Sequence, residues 1–341
     1  MKILIVGGTG VISTAITREL LERGEDVTLY NRGQTETRFS GRYKIIQGDR
    51  FDYPTFEYQI ADTGTFDCVI DMITFTPEHA ESAVRTFKGR TDQYIFCSTV
   101  NVYTKPAASY PITENAPRLQ TNDDYGLNKA RCEDIFRRAQ EDGDFNVTLM
   151  RPAHTYDDTG AIIHTFGWRT SFLDRIRRRK PIVIHGDGSS FWVTCHAKDV
   201  GHAFVQAVGN EATYGKAYHV TGEEWMTWNT YHQKVAEAMD VPLPDIVYVP
   251  TDLLRRIDPE RFNLTVTNLY GNTIFDNSAA KTDLDFKITV PWLDGARRTI
   301  NWLESNGRIE NSDDDPYYDR FVEQWNQASS MMIEQLKPEK T

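Results

Sequence analysis

Cysteine is scarce in this chain of 341 residues, which holds four: Cys68, Cys97, Cys132 and Cys195. They are widely spaced, with no CxxC pair and no histidine pair at ligand spacing, so neither a disulfide framework nor a metal site is expected. A basic excess is missing too, since 38 Lys and Arg stand against 49 Asp and Glu, a formal charge of −11. A nucleic-acid binder needs a basic face to neutralise phosphates, and this balance disfavours one. No apolar run approaches the roughly 20 residues that cross a bilayer. The opening MKILIVGGTG is too short and too interrupted by glycine for a signal peptide, so a reduced cytoplasmic protein away from the membrane is expected.

What is present is a globular composition, 40% apolar and 12% aromatic, in a length suited to about two structural units. Lys2 to Val6 is an apolar run, a Gly-rich turn follows, and Ser13 to Arg23 carries Ile16, Leu20 and Leu21 at helical spacing. Gly24 stops that helix and Asp26 to Tyr30 reads as a second strand, closing a βαβ unit. Strand-like runs recur at Lys44 to Gln47, Cys68 to Ile73, Gln93 to Cys97 and Val147 to Arg151, between helical patterns such as Pro77 to Phe87 and Lys129 to Gln140. This alternation predicts an α/β fold, a Rossmann-type doubly wound parallel sheet over residues 1–167 with 195–222 returning to it. Residues 168–341 then form mainly a smaller, mixed substrate domain and a C-terminal helix. All seven tryptophans lie in that second part, most of them expected to pack. The tail from Tyr317 repeats Phe321, Trp325, Ala328 and Met332 as a helical stripe expected to dock on the body.

Gly7-Gly8-Thr9-Gly10-Val11-Ile12-Ser13 joins the first strand to the first helix. Glycines there let the backbone approach a pyrophosphate, and the helix N-terminus presents free N–H groups, so Gly7, Thr9, Gly10, Val11 and Ile12 are expected to hold a dinucleotide. Ser13 stands where the pattern has its third glycine. A carboxylate usually closes the second strand and holds the ribose of NAD; here Tyr30-Asn31-Arg32 stands in that place. Arg32, with Asn31 beside it, suits the 2′-phosphate of NADP, so NADP(H) is favoured and NAD(H) is the alternative; a solvated loop arginine is the plainer reading. After the third strand, Asp49 of Gly48-Asp49-Arg50 reaches the adenine edge or caps a helix, with Arg50 next to it.

The fifth strand ends in Cys97-Ser98-Thr99-Val100-Asn101-Val102-Tyr103, and Asp124-Tyr125-Gly126-Leu127-Asn128-Lys129 follows. The i, i+4 spacing puts Tyr125 and Lys129 on one helical face, where an ammonium lowers a phenol's pKa from about 10 toward working pH. Thr99 can hydrogen-bond the same substrate oxygen, with Ser98 as the alternative.

With these residues the chain resembles the short-chain dehydrogenase/reductase superfamily, in its extended branch of NAD(P)-dependent epimerases and dehydratases. The resemblance covers about residues 1–305 and rests on the ordered set GGTGVIS, GDR, FCSTVNVY, YGLNK, RPAHTYD, HGDGSSFWVTCHAKDV and VPWLDGARRTINW. It implies Tyr125 as general acid/base, Lys129 as holder of the nicotinamide ribose and Thr99 as the group orienting the reacting oxygen. It also implies cofactor contacts from Met72, Ile73 and Pro152, substrate contacts from Thr74, Asn101, His154 and Trp192, and a homodimer through a four-helix bundle that includes Tyr125 to Gln140.

Departures from the family pattern narrow the substrate. Its sugar-nucleotide 4,6-dehydratases follow the threonine with an Asp-Glu pair, whereas Val100 and Asn101 stand here, which sets that elimination aside. Members like UDP-galactose 4-epimerase carry an asparagine and an arginine for the nucleotide where this chain has His154 and Trp192; Trp192 either stacks on a substrate ring or packs. The expectation is an oxidoreductase or epimerase acting at a secondary alcohol or ketone of a small hydroxy/keto or carbohydrate-like substrate. A nucleotide-sugar epimerase with tightly held NAD is one alternative. An RNA-associated member, like the chloroplast stem-loop-binding proteins of this branch, is another, supported by the run Arg175-Ile176-Arg177-Arg178-Arg179-Lys180, which also reads as a solvated helix end. A redox-sensing regulator that binds NADP without turnover is a third.

Overall fold

The structure, a computed structural model, describes residues 1–118 and 123–338. Its strands are β1 (Lys2–Val6), β2 (Asp26–Asn31), β3 (Lys44–Gln47), β4 (Phe66–Asp71), β5 (Thr91–Cys97), β6 (Asn146–Pro152), β7 (His154–Tyr156), β8 (Ile182–His185), β9 (Phe191–Trp192), β10 (Thr194–His196), β11 (Ala217–Val220), β12 (Met226–Thr227) and β13 (Ile246–Val249). Its α-helices are α1 (Val11–Glu22), α2 (Tyr53–Ala61), α3 (Pro77–Phe87), α4 (Asp124–Glu141), α5 (Ser171–Arg177), α6 (Ala197–Ala207), α7 (Trp228–Ala238), α8 (Thr251–Ile257), α9 (Ser278–Leu284), α10 (Trp292–Ser305) and α11 (Pro316–Leu336).

Seven strands pair in parallel in the order β11-β6-β5-β4-β1-β2-β3. The winding reverses between β1 and β4, and in such sheets the ligand crevice opens at that switch point, beyond the C-terminal strand ends. The central strands bury both faces. Ile3, Ile5, Ile70 and Ile95 pack with Ile16 of α1 and Phe204 of α6, while Leu4, Val69, Tyr94 and Phe96 pack with Phe56, Phe87 and Phe136 of α2, α3 and α4. That two-sided burial is why these strands read as continuous apolar runs.

Several element ends shift from the sequence expectation, most of them by one or two residues, and two shifts have a clear local cause. The fourth strand stops at Asp71, because its Oδ1 accepts the N–H groups of Ile73 and Thr74 at 2.9 and 3.0 Å and turns the chain. Helix α4 starts at Asp124 rather than Lys129, capped by Asp123, whose carboxylate accepts the Tyr125 N–H at 3.2 Å.

The chain divides into two compact units, 1–157 with 191–225 and 271–295, and 158–190 with 226–270 and 296–341. The first contains the whole seven-stranded sheet. It also takes 271–295, which the sequence reading left in the second domain. The second unit has its own core of Phe166, Val183, Val249, Phe262, Tyr318 and Phe321, with β8 and β13 paired in parallel.

Helix α11 docks only in its first half. Tyr318, Phe321 and Val322 are buried, whereas Met332 of the expected stripe is 57% exposed because the helix outlasts the core beneath it. The basic run is neutralised inside the second unit. Arg175 donates to Asp319 at 2.6 Å, Arg177 pairs with Glu304, Arg178 with Asp313 at 2.7 Å, and Lys180 with Asp313 at 2.7 Å. On the outer sides of α3 and α4, Glu78, Glu81, Arg85, Arg131 and Arg138 are exposed. The four cysteines are free and buried, and among the described residues no group suits a metal ion and no helix is long and apolar enough to cross a membrane.

Candidate active site

The β1–α1 turn passes tightly beneath the end of β4. Gly7 adopts φ +116°, and a Cβ on it would lie 3.2 Å from the Cβ of Met72, so both its conformation and its neighbour require glycine. The Gly10 N–H donates to Ser13 Oγ at 2.8 Å, which gives the residue in the third-glycine place the work of a cap. The first helical bond runs from Thr14 N–H to the Gly10 carbonyl at 2.9 Å. The N–H groups of Val11 and Ile12 therefore precede the helical ladder, at the positive end of α1 and beside the switch point. Thr9, Met72 and Ile73 are half-buried around this turn, and Pro152 closes β6 in a buried position.

At the end of β2, Asn31 turns the chain by accepting the Gly33 N–H at 2.9 Å, and Gln47 holds the Arg32 carbonyl at 3.2 Å. The Arg32 side chain is exposed and makes no ion pair among the described residues. Asp49 is exposed and caps its turn, accepting the Phe51 N–H at 2.9 Å. A glycine cradle, free helix N–H groups and an unpaired guanidinium fit a dinucleotide phosphate chain.

Four expected contacts turn inward instead. Arg50 is 1% exposed, donates to Ser82 Oγ at 3.3 Å and to the His79 carbonyl, and lies 4.2 Å over the Phe56 ring, so it braces α2 and α3 rather than facing a cofactor. Thr74 is fully buried and donates to Asp71 Oδ2 at 2.7 Å, leaving no surface for substrate. Trp192 is 6% exposed and packs on His154 with ring centroids 5.7 Å apart, a wall rather than an open stacking platform. Ser98 donates to Glu133 Oε1 at 2.6 Å in a buried position, which removes it as the alternative to Thr99.

The reactive groups come together where α4 crosses the end of β5. Three α4 residues one turn apart hold three successive residues of the strand end. Tyr125 stands beside the Thr99 side chain, Lys129 donates to the Cys97 carbonyl at 2.7 Å, and Glu133 accepts from Ser98. Thr99 caps the single turn 100–102 by accepting the Asn101 N–H at 3.2 Å. Gly126 lets the two segments touch, since a Cβ there would overlap the Asn101 carbonyl.

Burial pushes the Tyr125 phenol above its ordinary value, and the Thr99 hydrogen bond draws it part of the way back. The residue is 42% exposed overall, but protein atoms surround its hydroxyl end. Lys129 is 1% exposed, its ammonium 5.9 Å from the Tyr125 ring centre, and burial lowers its pKa. The expected lowering of the phenol by Lys129 is thus not what the site displays: the ammonium is turned to a carbonyl and burial prevails.

Behind these groups lies a network that the sequence reading missed. Glu133 accepts from Arg151 Nε and Nη2 at 2.7 and 2.6 Å and from Arg118 at 2.7 Å. Burial alone would raise the Glu133 carboxyl, but Arg151, Ser98 and Arg118 together hold it below the ordinary value. Arg151 also donates to Tyr103 Oη at 2.6 Å, and that hydroxyl bonds His219. The signal was present, because Glu133 continues the Tyr125, Lys129 face by one more turn.

Residues 3–221 match the model of the NAD dependent epimerase/dehydratase family. The chain belongs to that family. It is 27% identical over 260 residues to the chloroplast stem-loop binding protein of 41 kDa b from Arabidopsis thaliana, covering 72% of this chain and 65% of that one, so the match spans just under two thirds of that relative. It is 25% identical over 258 residues to the 2'-dehydrokanamycin reductase of Streptomyces kanamyceticus, covering 74% of this chain and 70% of the reductase. The fold is similar to that of a UDP-glucose 4-epimerase from Bifidobacterium longum in complex with NAD+ and UDP. That match has a TM-score of 0.72 and 18% identity, and covers 91% of this chain and all of the epimerase.

Proposed function

We propose that this family member is an NADP(H)-dependent oxidoreductase acting at a secondary alcohol or ketone of a small hydroxy/keto or carbohydrate-like substrate. The observation that carries the reading is the placement of Tyr125 beside Thr99 at the end of β5, with Lys129 on the same helical face. The nicotinamide, when bound, supplies or accepts the hydride. Tyr125 is the general acid/base. Held above the ordinary phenol value, it is protonated at neutral pH and gives its proton to the substrate oxygen as a carbonyl is reduced, then recovers one from solvent. Thr99 orients the same oxygen, and Lys129 holds the cofactor ribose. Gly7, Thr9, Gly10, Val11 and Ile12 hold the pyrophosphate, and Arg32 the 2′-phosphate. Val100 and Asn101 bring no carboxylate to Thr99, so the 4,6-dehydratase elimination lies outside this proposal.

A second reading, an epimerase that retains NAD, is favoured by the likeness of fold to the UDP-glucose 4-epimerase, and it requires Arg32 to be a solvated loop residue. The experiment is a screen of ketones and keto sugars for NADPH oxidation, repeated with Tyr125→Phe. The expected result is turnover that falls by about 10²- to 10⁴-fold in the variant with NADPH affinity retained. Turnover undiminished in Tyr125→Phe overturns the assignment.

A further inference from the structure

The Lys129 ammonium lies among three aromatic rings. Its Nζ is 4.7 Å from the ring centre of Phe96, 4.9 Å from that of Phe75 and 5.9 Å from that of Tyr125. Phe96 is fully buried, whereas Phe75 is 37% and Tyr125 42% exposed, so these two rings close the solvent side of an ammonium that is itself buried. Tyr125 is fixed on α4, and Phe75 stands on the loop between β4 and α3.

That loop is held along its length. Asp71 accepts the N–H groups of Ile73 and Thr74, and the Phe75 N–H donates to His79 Nδ1 at 3.1 Å. His79 in turn stacks on Phe51, with ring centroids 4.6 Å apart. The backbone is thus set so that the Phe75 ring turns its face to the ammonium.

Burial disfavours the charge of Lys129. The titratable groups around it, besides Tyr125, are Asp71, His79, Cys97, Cys132 and Glu133. Burial keeps the two thiols neutral. Asp71 accepts from the Thr74 and Tyr94 hydroxyls, and Glu133 from Ser98, Arg118 and Arg151. With both carboxylates bonded to other donors, the ring faces are what meets the ammonium locally, and a cation over an aromatic face is attracted most strongly where water is excluded.

We infer that Phe75 is a positioning residue: its ring covers the Lys129 ammonium, keeps it charged and holds it at the end of β5, where the proposed function places the cofactor ribose. The inference rests on that reading for the role of the ribose.

The test follows reductive methylation of Lys129 from pH 6 to 10 by peptide mass spectrometry, without cofactor, in the wild type, Phe75→Tyr, Phe75→Leu and Phe75→Ala. Phe75→Tyr keeps the ring and is expected to behave as the wild type. Phe75→Leu keeps a cover but no π face, and the pH midpoint of methylation is expected to lie about 1 pH unit lower. Phe75→Ala removes cover and face together, and methylation at pH 10 is expected to be about tenfold faster, because the amine no longer depends on local opening to meet the reagent. NADPH calorimetry adds a functional readout: binding is expected to weaken about three- to tenfold in Phe75→Ala and to be kept in Phe75→Tyr. Equal midpoints and rates in all four proteins, or NADPH affinity untouched by Phe75→Ala, overturns the inference. Failure of the wild type to bind NADPH strikes instead at the oxidoreductase reading, and the methylation series then decides the role of Phe75 by itself.

Discussion

Lys129 donates its ammonium to the Cys97 carbonyl at 2.7 Å, while Tyr125, one turn earlier on α4, stands beside Thr99. The lysine clamps the end of β5 against the helix that carries the phenol. Lys129→Met removes one buried hydrogen bond but also a desolvated ammonium, two effects of opposite sign. Its unfolding free energy is expected to change by no more than about 1 kcal/mol, while NADPH affinity falls about tenfold. Urea unfolding and cofactor calorimetry on the same variant separate the two.

Glu133 is held against Arg151, and both side chains are fully buried. Glu133→Ala leaves Arg151 buried without its carboxylate and is expected to destabilise by about 3–5 kcal/mol, whereas Glu133→Leu with Arg151→Met recovers much of that loss. The carboxyl's folded pKa lies below its ordinary value, so its contribution is present above about pH 4.5 and is lost as pH falls through the folded value. Denaturant midpoints between pH 3 and 7 check both statements.

In the second unit His164 stacks on Phe172, with ring centroids 4.3 Å apart, and its buried Nε2 has no hydrogen-bond partner among the described residues. Burial pushes His185 and His232 down to about 4 and lowers His164 as well. The unfolded chain takes up protons near pH 6.5 that the folded chain refuses, so stability is full above about 6.5 and erodes as pH falls toward 4. His164→Phe keeps the stack and removes one of these sites. It is expected to lie within about 1 kcal/mol of wild type at pH 7 and to show a shallower loss between pH 6.5 and 4 in thermal or urea unfolding. An unchanged slope would show that His164 does not contribute.

Arg175, Arg177, Arg178 and Lys180 are each paired with an acidic residue of the C-terminal segment, which leaves this run little net charge to offer a phosphate backbone. Fluorescence anisotropy with an RNA stem-loop at physiological salt is expected to give no saturable binding, and no difference between wild type and Arg178→Ala.

The parts of the fold legible in the sequence are those set by local pattern. The central strands read as apolar runs because both faces are buried, and Pro77–Phe87 is found as read because proline opens it at the first turn. Tyr125, Lys129 and Thr99 meet because helix periodicity and a strand end dictate it. What was not legible depends on residues distant in sequence. Arg50 is drawn inward by Ser82 and the His79 carbonyl, and the second unit's interleaved segments leave no mark in composition. Thr74 turns inward for a local reason, its bond to Asp71 three residues earlier.

In the proposed function the β1–α1 turn holds a nicotinamide dinucleotide and Arg32 selects its 2′-phosphate. Calorimetric titration of wild type and Arg32→Ala with NADPH and NADH tests it most directly. The expected result is tighter binding of NADPH, weakened about 10- to 100-fold in the variant, with NADH affinity unchanged. Tighter binding of NADH, indifferent to Arg32→Ala, would contradict the 2′-phosphate assignment, and binding of neither would contradict the dinucleotide site itself.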